Sequence, residues 1–177
     1  FGMIDYGRMA FHYVTVEKSL HVAARIAAVR PPACAGVPEF IGRGTSTATP
    51  PADFGTSCGA APNICADPGL ITCAGAATNA TANEIWNIVS GAFPNDATVA
   101  NLSFQYASDQ NLGFLGGPYV PVVTVEVQNL GFEFVSPLGA LVGLTGGTAP
   151  AGLGADISFP SLSVSMPGED LALGDEG

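Results

Sequence analysis

Apolar residues in the first thirty positions recur at Tyr6, Met9, Tyr13, Val16, Leu20, Ala24 and Ala27, in steps of three and four that hold one face of a helix. A second apolar line of Ile4, Phe11, Val14, Val22 and Val29 runs roughly along the opposite side. Between them lies a narrow polar stripe of Asp5, Arg8, His12, Thr15 and Ser19. The pattern predicts one helix over 1–30, stopped by Pro31–Pro32 because proline removes a helical N–H and its ring clashes with the preceding turn. A helix apolar on two sides needs cover from two directions. Tyr13, Val16 and Leu20 are assigned to the chain's own domain, and Ile4, Phe11, Val14 and Val22 to a surface outside it.

Beyond the prolines the periodicity stops. Residues 31–76 read as a long irregular region rich in Cys, Pro and Gly, with an exposed loop over 44–52. Helical spacing returns with Ile85, Trp86, Ile88 and Val89. That second helix is predicted to start near Thr81, with Glu84 closing a capping box, and to end around Gly91–Pro94. The remaining apolar runs, Val99–Tyr106, Tyr119–Gln128, Gly131–Val135 and Ile157–Met166, are separated by Gly, Pro and Asn clusters and read as strands. Strands that follow one another through short links favour an antiparallel meander packed on a helix. The expected fold is therefore α+β, with a long N-terminal helix (1–30), a disulfide-braced irregular region (31–76), and a short helix plus antiparallel sheet (77–177). Residues 31–177 are taken as one globular domain. At 177 residues the chain suits a single domain with a real core.

Composition sharpens this picture. Apolar residues make up 47% and charged residues 11%, against roughly a quarter charged in average proteins, which excludes intrinsic disorder of the whole chain. Gly (23) and Pro (14) are abundant enough to require a loop-rich fold. All five basic residues, Arg8, Lys18, Arg25, Arg30 and Arg43, lie in the first 43 positions, and the other 134 hold twelve acids with no Lys or Arg. Such a surface repels phosphate backbones, so nucleic acid is not an expected partner.

Cys34, Cys58, Cys65 and Cys73 fall within forty residues of loop-like sequence. An even count in such a setting points to two disulfides and an oxidising compartment. Zinc is the competing reading, and the spacing lacks the close Cys-x-x-Cys knuckle it requires. Of the three possible pairings the nested one, Cys34–Cys73 around Cys58–Cys65, is preferred.

Candidate chemistry is sparse. His12 and His21 lie nine residues apart on different faces of the first helix, with no Ser or Cys in nucleophile context nearby. Glu126 and Glu133 flank a turn and form a conceivable glycosidase-like pair, though exposed strand positions are the plainer reading. Ala151–Phe159 half-matches a calcium nonapeptide that works only in tandem. Glu169, Asp170, Asp175 and Glu176 read as a solvated tail, and Asn79-Ala-Thr81 and Asn101-Leu-Ser103 match glycosylation sequons. There is neither a Gly-x-Gly-x-x-Gly nor a Walker loop. The expectation is a protein that is not an enzyme and uses no cofactor or metal.

One resemblance stands out. Phe1-Gly-Met-Ile-Asp-Tyr-Gly-Arg8, followed by a helix ending Val22-Ala-Ala-Arg-Ile-Ala-Ala-Val29, resembles the signature segment of TadE-like proteins. Phe132-Glu-Phe-Val-Ser-Pro-Leu-Gly-Ala-Leu-Val-Gly-Leu144 is similar to that family's C-terminal part. The resemblance implies a pilin-like subunit of the tight-adherence (Flp, type IVc) pilus system. It implies a minor pilin or filament subunit on the cell surface, serving adhesion, with an inner-membrane-anchored periplasmic precursor. Other pilin subunits would be the partners, met through Ile4, Asp5, Arg8, Phe11, Val14 and Val22 of the first helix. The family carries an apolar segment ahead of its Gly-x-x-Asp motif. An apolar stretch of about 15–20 residues, long enough to span a membrane, and a short basic leader are therefore expected upstream of Phe1. The alternatives are a secreted or membrane-anchored adhesin or receptor-binding ectodomain and, behind it, a secreted hydrolase.

Overall fold

The structure is a computed structural model that describes residues 2–132, 157–169 and 171, with the backbone alone at Gly2, Asp5, Phe132 and Ile157. Helix α1 spans Gly2–Val29, about 42 Å at 1.5 Å per residue. Strand β1 (Ile71–Ala74) and helix α2 (Ala80–Val89) follow, then β2 (Leu102–Ala107), β3 (Val122–Val127), β4 (Gly131–Phe132), β5 (Ile157–Ser158) and β6 (Leu162–Pro167). β1, β2, β3 and β6 form a four-stranded antiparallel sheet in that order, and β4 pairs with β5 as a separate ribbon. The fold is α+β, a meander packed on a helix.

Alternation along the strands explains which face α1 covers. Leu102, Phe104 and Tyr106 of β2, with Val123, Val125 and Val127 of β3, are all buried on one face. In register beside them lie Ile71 and Cys73 of β1 and Leu162, Val164 and Met166 of β6. The other face carries Thr72, Gln105, Thr124 and Ser165 in one row across the sheet, and Thr124 and Ser165 share a hydrogen bond of 2.7 Å. Helix α1 lies against β3, β6 and α2, burying Val16, Leu20, Ala23, Ala24, Ala27 and Ala28. Four alanines in its last two turns let its backbone approach its neighbours closely. Burial of a side chain such as Leu20 is worth about 1.5–3 kcal/mol.

The end of α1 is tied down by several contacts. Arg30 pairs with Glu84 of α2 at 2.9 Å, the Thr81 hydroxyl donates to the Pro31 carbonyl at 2.7 Å, and the Ala33 N–H donates to the buried Tyr106 hydroxyl at 2.9 Å. The Ala28 carbonyl, one of the orphans at a helix end, accepts from the Glu169 N–H at 3.0 Å.

Several boundaries differ from those expected. The cap of α2 is Asn79, whose side chain accepts from the Ala82 N–H at 2.9 Å, and no box forms between Thr81 and Glu84. Both of those residues are committed to the end of α1, a tertiary demand that overrides the local motif. β1 lies inside the region expected to be irregular, because four residues alternate too briefly to stand out. Val99–Asn101 is a 3-10 turn with its own Thr98–Asn101 capping box, so β2 starts at Leu102. The last predicted strand is two, β5 and β6, split where Pro160 interrupts the ladder.

Residues 39–66 form a lobe at the end of the sheet, knitted by backbone hydrogen bonds to residues 113–119. Ile41 and Gly117 bond at 2.8 Å, Leu115 and Thr56 at 2.9 Å, and Gly44 and Ile64 at 2.8 Å. The two disulfides are Cys34–Cys73 and Cys58–Cys65. The first ties the chain after α1 to edge strand β1, and the second closes a small ring within the lobe.

Candidate assembly surface

No described residue before Val16 is buried. Met9, His12 and Thr15 are half-buried, and Tyr13 stacks on Phe159 at 5.9 Å. Ile4 (64% exposed), Phe11 (67%), Val14 and Val22 lie open to solvent. Arg8 is exposed as well, and the Asp5 side chain lies outside the described part. Tyr6 and Met9, on the line expected to face inward, are exposed and half-buried. The opposite line, from Val16 through Leu20 to Ala27, is in the core. Full burial along this helix is thus confined to its second half among the described residues.

The other sequence candidates are dispersed. His12 is half-buried, with its ring edge-on to Phe11 at 6.1 Å, and His21 is exposed. Glu126 accepts from Gln105 at 3.2 Å and Gln128 at 3.0 Å on the polar sheet face, while Glu133 lies outside the described residues. So do Asp170, Asp175, Glu176 and most of the 151–159 stretch. Among the described residues no three His, Cys, Asp or Glu side chains gather to hold a metal. Asn101 donates its amide to the Gln128 and Asn129 carbonyls at 3.1 and 3.0 Å, so that sequon nitrogen is engaged in the fold. Among the described residues no helix is long and apolar enough to cross a membrane.

Two features of the lobe escaped the sequence reading. The first is an aromatic patch. Phe54 (76% exposed) lies on Gly116 and Phe114 on Gly117, and the exposed Phe40 forms a backbone bridge to Pro118, so three exposed aromatic residues meet the 116–118 segment. A Cβ at Gly116 would stand 2.5 Å from the Phe54 ring, and Gly116 has a φ of +81°, a conformation that favours glycine. Arg43 sits over the Phe54 ring at 5.4 Å and donates to the Ala52 carbonyl at 2.7 Å.

The second is a small solvent-open cavity, with room for about one water-sized group, between residues 108–112 and the Cys58–Cys65 ring, lined by Ser108, Asp109, Gln110, Leu112, Tyr119 and Val120. Tyr119 is 5% exposed, and its hydroxyl has no hydrogen-bond partner among the described residues. Burial raises its pKa, Ser108 beside it pulls the other way without reaching hydrogen-bond geometry, and the Asp67 carboxylate raises it again. The local signal for this cavity, Ser-Asp-Gln after a strand, is an ordinary turn sequence.

Comparison with family models, with curated proteins and with solved structures gives no match.

Proposed function

We propose that the chain is a structural, non-enzymatic subunit of a bacterial surface filament serving adhesion, of the pilin-like kind that the TadE-like resemblance implies. The observation that carries this reading is the division of α1. Its second half is part of the core, and its first half presents Ile4, Phe11 and Val14 to solvent. Large apolar side chains exposed in a line along a helix favour burial in an assembly, or against a membrane beforehand. Two disulfides fit an extracellular or periplasmic location.

Replacing Phe11 and Val14 with Ser tests this. Both lie outside the core, so the variant folds with its disulfides intact and fails to enter filaments. Normal incorporation of that variant would remove the helix as the assembly surface.

The aromatic patch on the lobe favours a second reading, an adhesin or receptor-binding ectodomain that forms no filament. Truncation at residue 12 separates the two, because it spares everything from Val16 onward. An ectodomain keeps its ligand, and a filament subunit loses assembly.

A further inference from the structure

The charge of this protein is split between two parts. Outside the lobe every basic residue belongs to α1 or its last turn, and no Lys or Arg follows Arg43. Arg30 is paired with Glu84, and Arg43 is held by Phe54 and Ala52. Lys18 and Arg25 are exposed and make no ion pair among the described residues. At about 100° per residue, Lys18 lies half a turn round the helix from Val16, Leu20 and Ala27. It is flanked on the exposed side by Val14 and Val22, one turn before and after it.

The cavity beside Tyr119 is the complement of that stripe. Asp109 lines it, with the Ser108 hydroxyl, the Gln110 amide and the buried, unpartnered Tyr119 hydroxyl. Asp67 stands near enough to act on the Tyr119 phenol. One Asp109 oxygen already accepts from Asn111, which fixes the carboxylate in place. Leu112 and Val120 supply apolar walls, and there is room at the centre for a single water-sized group. A compact ammonium with three donors and no acceptor fits such a space better than a planar guanidinium.

We propose that this cavity is a socket for the Lys18 ammonium of a second copy of the chain, with Val14 and Val22 of that copy set against Leu112 and Val120. Lys18 points away from its own body, so the key and the socket of one chain cannot meet. The contact is heterologous, and a heterologous contact that does not close on itself builds an open filament. This inference rests on the filament reading and names the residues that join one subunit to the next.

The test is sedimentation velocity of the full chain at low and high salt, with Lys18→Met, which keeps the stem, and Asp109→Asn, which keeps the acceptor for Asn111. The wild type forms open-ended oligomers at low salt that weaken at high salt through screening. Each single variant loses association by at least ~30-fold. An equal mixture of the two recovers one contact and stops at dimers, because one chain retains the key and the other the socket. Circular dichroism checks that both variants are folded. Association of either folded variant at wild-type strength, a mixture that stays monomeric, or a monomeric wild type at low salt would each overturn the socket. Loss of association in the Phe11→Ser, Val14→Ser variant while both single variants associate normally would overturn the socket and leave the filament reading standing. Filament entry by that double variant would remove Phe11 and Val14 from the assembly surface and with them the observation on which the filament reading stands.

Discussion

The sheet body and the lobe of residues 39–66 keep their shapes by different means. In the body, Val16, Leu20, Phe104, Tyr106 and Val125 are fully buried across the helix–sheet interface, and the hydrogen bonds form a regular ladder. The lobe buries Ile41, Cys58, Ile64, Cys65 and Leu115 and leaves Phe40, Phe54 and Phe114 outside. Its backbone bonds are scattered pairs, and two disulfides hold its neighbourhood together. Apolar burial in a regular layer organises the body. Covalent closure lowers the entropy of the unfolded lobe, where apolar burial is too small to do so alone. The lobe is thereby free to expose its aromatic rings and an incompletely satisfied cavity.

Reduction should break this contrast most severely. On the chain-entropy model the 39-residue and 7-residue separations correspond to about 4 and about 2.5 kcal/mol. Reduced protein should melt far lower than oxidised protein in calorimetry, and Cys34→Ala, Cys73→Ala should cost more than Cys58→Ala, Cys65→Ala. Hydrogen exchange should show the lobe amides losing protection first. An unchanged melting temperature on full reduction would show that the lobe is held by packing after all.

Phe104→Ala attacks the body instead. Truncating a fully buried phenylalanine should cost about 3–5 kcal/mol in denaturant unfolding, whereas Phe54→Ala should change stability by less than about 0.5 kcal/mol. Comparable losses for the two would erase the distinction between core and exposed rings.

Tyr106 gives the body an alkaline limit. Burial holds its phenol above the usual 10.0, and the Ala33 N–H pulls partly the other way. The folded chain therefore keeps a proton that the unfolded chain releases near pH 10, so stability is present below that pH and falls as the pH rises beyond it. Thermal melts should drop more steeply above pH 10 for the wild type than for Tyr106→Phe, which has no proton to lose. Equal slopes would remove Tyr106 as the cause.

Asn79→Ala is the mildest probe. Loss of the α2 cap should cost about 1 kcal/mol, while Thr81→Ser keeps its hydroxyl for Pro31 and should cost less. If Glu84→Gln proves as costly as Asn79→Ala, the ion pair with Arg30 is doing more at that helix start than the cap.

The long helix, the two disulfides and the antiparallel character of the sheet were legible in the sequence because each leaves a periodic or countable trace, whereas the nested pairing was one preference among three and β6, not β4, lies beside β3. The two apolar lines of α1 were legible too, since 3.6-residue spacing fixes which residues share a face, but which line the body covers was not. Strand β1 was not legible, because Ile71-Thr72-Cys73-Ala74 gains its place from pairing with β2 and from the bridge to Cys34. Nor was the cap of α2, where Thr81 and Glu84 had a local use available and met a stronger distant one in Pro31 and Arg30.

Local spacing by itself determined that one helix would run to the prolines, that it would carry two apolar lines, and that the acidic remainder would fold around strands and disulfides. Tertiary structure alone decided where full burial along α1 begins among the described residues, at Val16 beyond the stacking of Tyr13 on Phe159. It also decided that Phe40 and Phe54 meet the 114–118 segment and that the Cys58–Cys65 ring lies beside Tyr119. Those groups are brought together by hydrogen bonds between segments more than fifty residues apart, and a contact over such a distance leaves no period in the sequence.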